Sequence, residues 1–248
     1  MLKERAIILI HGYATDKNDL MPLKEELKKR YNYVHLENLP GHGDQSIKDF
    51  NAIDTMIYCR ETTARIFSRY EHVDIIGFSM GGAIATYLAS VFNFDRVILL
   101  APANKYLNFS MGHTRLEVLL EYLASRHDNK EHYENNKRQF DVILNNDKKS
   151  LKMGLEQLLP NYTLHSLIEF RTIIDYVNYH LHNKVIDTKT LLVWGELDQL
   201  VPQKVIKFLK PIFPNMKDVI LKDMSHLMLH SDNRQEVCDI IYNFIDNS

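Results

Sequence analysis

Five residues constrain this chain more than any others: Gly77-Phe78-Ser79-Met80-Gly81. The apolar run Val73-Asp74-Ile75-Ile76 precedes them, and a small-residue helical pattern, Gly82 to Ala89, follows. A strand that enters a helix through Gly-x-Ser-x-Gly leaves the serine on a strained turn with its hydroxyl exposed. The two glycines suit that crossing, because a Cβ at either place would collide where strand and helix pass closely.

The rest of the chain supplies the same context. Short continuous apolar runs occur at Ala6–Ile10, Tyr33–Leu36, Val73–Ile76, Val97–Leu100, Leu191–Trp194 and Val219–Leu221. Runs without alternation suit parallel strands covered on both faces. Helical patterns fall between or after them, at Asp19–Arg30, Ala52–Tyr70, Gly82–Phe92, Pro202–Leu209 and Gln235–Asp246. This alternation predicts an α/β fold with a doubly wound, mostly parallel sheet. From Ala103 to Asp187 no strand pattern occurs, and helical stretches are expected near 114–125, 131–145, 150–159 and 164–182. That interval is too long for a loop. It reads as a helical insertion over 103–187, with residues 1–102 and 188–248 forming the core.

Composition removes several classes. The 248 residues are 45% apolar and 25% charged, with a net charge of −2. They offer no basic stripe for nucleic acid and no apolar run near the length of an integral membrane segment. The N-terminus lacks the pattern of a signal peptide. The two cysteines, Cys59 and Cys238, form no CxxC pair and are expected as free thiols in a cytoplasmic protein. His180 and His182 stand two apart on different helix faces, no cluster has zinc spacing, and no metal or cofactor is expected.

Loops at the C-terminal ends of parallel strands converge on one rim, where ligands bind. Four of these loops carry reactive or polar residues: His11-Gly12-Tyr13, Ser79, Gly195-Glu196-Leu197-Asp198 and Asp223-Met224-Ser225-His226. Serine, acid and histidine in that chain order match one triad-bearing architecture. Glu196 is the rival acid, nearer its strand end. Of the twelve histidines, only His226 and His230 closely follow the last strand, with His230 expected on the surface of the next helix.

On these pieces, together with Leu39-Pro40-Gly41-His42-Gly43, Gly82, Gln199-Leu200-Val201-Pro202 and Ser225-His226, the chain resembles the alpha/beta-hydrolase family. It is most similar to small esterases and monoacylglycerol-lipase-like members with a helical cap. Two departures are visible: only five residues precede Ala6, and Asn38 stands where many members have Asp. The resemblance implies a covalent serine mechanism on Ser79, His226 as base and Asp198 as its partner. It implies oxyanion donors from the backbone of Met80 and Tyr13, with Gly12, Tyr13 and Met80 lining the substrate position. His11 and His42 read as structural or as pocket rim. Met153, Phe170, Tyr176 and Tyr179 could face an acyl pocket or form the cap's own core.

The expected reaction is hydrolysis of small-molecule carboxylic esters of small to medium apolar acyl chains. The same triad also serves thioesterases, carbon–carbon hydrolases and lyases, because function lives in the site and not the fold. A substrate carboxylate would call for an inward arginine, for which Arg115, Arg126, Arg138 and Arg171 are candidates. A third reading is a ligand-binding homologue without catalysis. Chain-length preference and oligomeric state are left open by the sequence.

Overall fold

The computed structural model describes residues 3–105, 164–198 and 200–247. Its strands are β1 (Lys3–Ile10), β2 (Tyr33–Leu36), β3 (Tyr70–Phe78), β4 (Arg96–Leu100), β5 (Lys189–Gly195) and β6 (Met216–Leu221). They form one parallel sheet in the order β2-β1-β3-β4-β5-β6. The α-helices among the described residues are α1 (Met21–Leu27), α2 (Ala52–Phe67), α3 (Met80–Ala89), α4 (Leu164–Leu181), α5 (Lys204–Leu209) and α6 (Arg234–Asn247), with 3-10 turns at Lys17–Asp19 and Ile47–Asp49.

Hydrophobic burial explains the strand pattern. Ala6–Ile10, Val73–Phe78 and Arg96–Leu100 are buried throughout, as runs covered on both faces must be. The edge strands differ: Tyr33 on β2 and Ile220 on β6 keep substantial exposure. Every residue of α3 is buried, which fits a helix apolar on all sides and enclosed by its neighbours.

Two of the expected helices depart from the periodicity. The expected helix over Asp19–Arg30 splits into a 3-10 turn at Lys17–Asp19 and then α1, with Pro22 in its first turn. Helix α2 ends at Phe67, and Tyr70 belongs to β3, because the extended register with β1 begins there. Its start is fixed by Asn51, whose side chain accepts hydrogen bonds from the N–H groups of Ile53 and Asp54. Of the four helical stretches expected in the insertion, the last is α4; the other three lie outside the described residues.

Polar groups lock the rim opposite the strand ends that carry Ser79. Asp74 is buried midway along β3, level with the first residue of β4, and accepts hydrogen bonds from the Tyr31 hydroxyl and from Arg96 Nη1 at 3.0 Å, with Arg5 Nη2 at 3.5 Å. Arginines from β1 and β4 thus clamp the strand between them.

The strand order reverses at β1 and β3: β2 lies to one side of this pair and β4, β5 and β6 to the other. In open α/β sheets such a reversal is the place where ligands bind. Close packing at this point depends on glycine. A Cβ on Gly77 would stand 2.3 Å from the Gly81 carbonyl oxygen, and a Cβ on Gly81 would stand 2.1 Å from that of Ile10. Neither oxygen can yield without moving a strand or helix. Gly81→Ala should therefore lower stability by about 3 kcal/mol, the upper range for overpacking. For a chain of this size that is a fall of roughly 6–12 °C in melting temperature, read by a thermal melt against wild type.

Candidate active site

Ser79 sits between β3 and α3 with φ 54° and ψ −116°. Non-glycine residues rarely adopt positive φ, and such a position costs on the order of 1–3 kcal/mol. Main-chain hydrogen bonds hold it: the Ser79 N–H donates to Leu100 O at 2.9 Å. The Ser79 carbonyl accepts from Ala103 N at 2.9 Å and Ala83 N at 3.1 Å. The strained turn is thus pinned to β4 and to the segment that leaves it.

The other two predicted side chains meet Ser79. His226, in the loop after β6, lies with Nε2 3.0 Å from Ser79 Oγ and Nδ1 2.7 Å from Asp198 Oδ2. The two contacts define one tautomer: Nδ1–H donates to the carboxylate and Nε2 accepts from the hydroxyl. The Phe78 ring, 5.1 Å from the imidazole between centroids, backs it. The Asp198 carboxylate is fully buried, and its second oxygen, Oδ1, accepts from Leu200 N at 2.9 Å and Val201 N at 3.0 Å. Its two oxygens thus divide two tasks: Oδ2 orients the histidine and Oδ1 closes the turn. Glu196 is exposed and accepts from the Asp223 N–H at 3.2 Å, on the loop that leads to His226.

The loop after β1 comes up against the serine. A Cβ on Gly12 would lie 3.4 Å from the Ser79 Cβ. His11 braces this loop, its Nδ1–H donating to Gly12 O at 2.8 Å while Nε2 accepts from Leu39 N at 2.9 Å. Tyr13 places its ring against Phe170 and Phe50, at 4.9 and 5.8 Å between centroids, and its hydroxyl shares a 2.6 Å hydrogen bond with Ser166 of α4. Burial pushes that phenol up to about 12. Asn38 links the two neighbouring loops, its Oδ1 accepting from Lys17 N at 2.8 Å.

Several residues fall elsewhere than expected. His230 lies in a turn before α6 and not on its surface, and its Nε2 is 2.9 Å from the buried carboxylate of Asp19. Arg171 points outward, its side chain 66% exposed and paired with Asp175 at 3.5 Å. Arg115, Arg126, Arg138 and Met153 lie outside the described residues. Phe170 is wholly buried against Tyr13, whereas Tyr179 is 78% exposed and Tyr176 packs on Tyr87 and His180. Among the described residues no group of three His, Cys, Asp or Glu side chains could hold a metal ion, and no helix is long and apolar enough to cross a membrane. Sequence reasoning missed Asp19 and Ser166; their signal is tertiary, since each partner lies more than 150 residues away in the chain.

A serine on a strand–helix elbow, joined through an imidazole to a buried carboxylate at the switch point of a parallel sheet, defines the hydrolase class of α/β proteins. A sequence model of the alpha/beta hydrolase fold matches residues 5–232, and this chain belongs to that family. It is 27% identical over 238 residues to a pimeloyl-[acyl-carrier protein] methyl ester esterase of Wigglesworthia glossinidia brevipalpis, covering 89% of this chain and 86% of the relative. In fold it is similar to a metagenome-derived lipolytic enzyme (TM-score 0.71, 15% identity, 100% and 96% of the two chains). The monoacylglycerol lipase of Paleococcus ferrophilus is similar too, with TM-score 0.68 and 14% identity over 100% and 97% of the chains.

The site's buried histidines make stability depend on acidity. Burial pushes His42 down from 6.5 to about 4, and burial also lowers His11. Between those two values the unfolded chain binds a proton at position 42 that the folded chain refuses. Stability is therefore full above pH 6.5 and falls as pH drops toward 4. The His42 shift corresponds to about 3 kcal/mol across that window. Urea unfolding at pH 7.5 and pH 4.5 should show this loss, and His42→Phe should flatten the slope.

Proposed function

We propose that this chain is a serine hydrolase that cleaves carboxylic esters of small to medium apolar acyl groups through an acyl-serine intermediate. The observation that supports it is the hydrogen-bonded series Ser79 Oγ, His226, Asp198, assembled from three loops on one rim. The esterase and lipase names among its relatives and structural neighbours support the same bond type.

A serine hydroxyl is a weak nucleophile until a base takes its proton. His226 Nε2 would accept that proton as Ser79 Oγ attacks the ester carbonyl carbon. Asp198 would hold the reactive tautomer and stabilise the imidazolium. The tetrahedral oxyanion would rest on the backbone N–H of Met80, first residue of α3, and on that of Tyr13, each worth about 2.7–4 kcal/mol. The positive N-terminal end of α3 adds to this field. As the carbon–oxygen bond breaks, His226 would return the proton to the departing alcohol. A water, deprotonated by the same imidazole, would then release the acid and free Ser79.

Residues 103–187 would act as the cap, whose described part, α4, reaches the site through the Tyr13–Ser166 hydrogen bond. The described candidate arginine, Arg171, faces away from the site and pairs with Asp175. A cytoplasmic setting is part of the same reading.

Ser79→Ala should cut turnover of a nitrophenyl ester by about 10⁴-fold or more, the residue of catalysis coming from oxyanion and binding effects. Asp198→Asn should lose on the order of 10⁴-fold through the wrong imidazole tautomer, while Glu196→Gln should change turnover little. Steady-state kinetics on an acyl-length series of esters, with thioesters and diketones alongside, reads all three. Equal turnover by Ser79→Ala and wild type would end the proposal, and a strong thioester preference would reassign its substrate.

A further inference from the structure

Asp19 is buried at the end of the 3-10 turn that follows the β1 loop, with its carboxylate almost wholly out of contact with solvent. Its Oδ1 accepts a hydrogen bond from His230 Nε2 at 2.9 Å, and its Oδ2 has no hydrogen-bond partner. A buried carboxylate is costly unless paired, and one with a single side-chain partner holds that partner firmly.

The two ends of this contact belong to the two loops that must be aligned. On one side, the Asp19 charge lies close enough to act on both His11 and His42. His11 is the residue that braces the Gly12 carbonyl, directly behind the proposed oxyanion loop. On the other side, His230 ends the segment that begins at His226. The Met228 N–H donates to His226 O at 2.9 Å and the His230 N–H to Leu227 O at 2.9 Å, so the two histidines are joined by consecutive tight turns. A displacement at His230 is therefore passed along only four residues to the imidazole at Ser79.

From this we infer that Asp19 and His230 are positioning residues. Their hydrogen bond ties the loop after β1 to the loop after β6 and sets the imidazole of His226 against Ser79 and the oxyanion position. The pair touches no substrate and acts through His226 and Gly12. The role rests on the hydrolase reading above.

The test removes the pair without leaving a buried charge, because His230→Ala alone would strand the carboxylate. In Asp19→Ala/His230→Leu, kcat on a nitrophenyl ester should fall roughly 10- to 100-fold, as misplacement by about an ångström can cost. KM should stay within about 2-fold, the signature of an interaction made in the transition state. Labelling of Ser79 by a fluorophosphonate should slow in parallel. Asp19→Asn keeps an acceptor for His230 Nε2–H and should retain kcat within about 3-fold. The inference is overturned if the double variant keeps wild-type kcat, if its loss lies in KM alone, or if Asp19→Asn loses as much as the double. A double variant that does not fold also counts against it, since the pair would then serve stability and not alignment. A wild-type chain that neither turns over ester nor takes the probe would instead defeat the hydrolase reading itself.

Discussion

Everything at this rim depends on how closely α3 can approach β1 and β3. The helix starts one residue after Ser79, and its first turn lies against the carbonyls of Ile10 and His11, at a distance only glycine at position 81 allows. That contact forces the chain through a positive φ at Ser79 and turns its hydroxyl toward the loop of His226. A backbone hydrogen bond to Leu100, and others from Ala83 and Ala103, then hold the turn against β4 and α3. A reactive group is held by packing against rigid elements, which is what precise alignment requires.

The far rim supports this arrangement. Asp74, from the middle of β3, joins Arg5 near the start of β1, Arg96 at the start of β4 and Tyr31, so the three strands that end near Ser79 are also tied together away from it. The position of Gly12 relative to Ser79 follows from β1 and β3 pairing as Ile10 with Gly77.

Much of this was readable before any coordinates, because the signals are local and periodic. The six apolar runs fall within the six strands, and the elbow motif carries its own strand–helix context. What escaped is nonlocal. Nothing in the pattern around Asp19 distinguishes a helix-opening acid from a buried carboxylate held by a histidine 211 residues away. The exposure of Arg171 and Tyr179 follows from how α4 lies on α2 and α3, and a helical period alone leaves that rotation undetermined. The second task of Asp198 is nonlocal in the same sense: its place in chain order marks the partner of His226, whereas the turn closed by its other oxygen shows only in the structure.

The hydroxyl contact between Tyr13 and Ser166 carries a consequence for the interval that α4 closes. Helix α4 makes further hydrogen bonds to the chain around it. Glu169 accepts from the Ala52 N–H at 2.8 Å, the His165 ring nitrogen lies 3.1 Å from Phe50 O, and the Asn178 amide donates to Asn104 O at 2.8 Å. The returning leg of the long interval is in effect a fixed bracket, and residues 106–163 are spliced between it and β4. A change of sequence between those two anchor points therefore removes none of these hydrogen bonds, and α4 keeps its hold on Tyr13 beside Gly12.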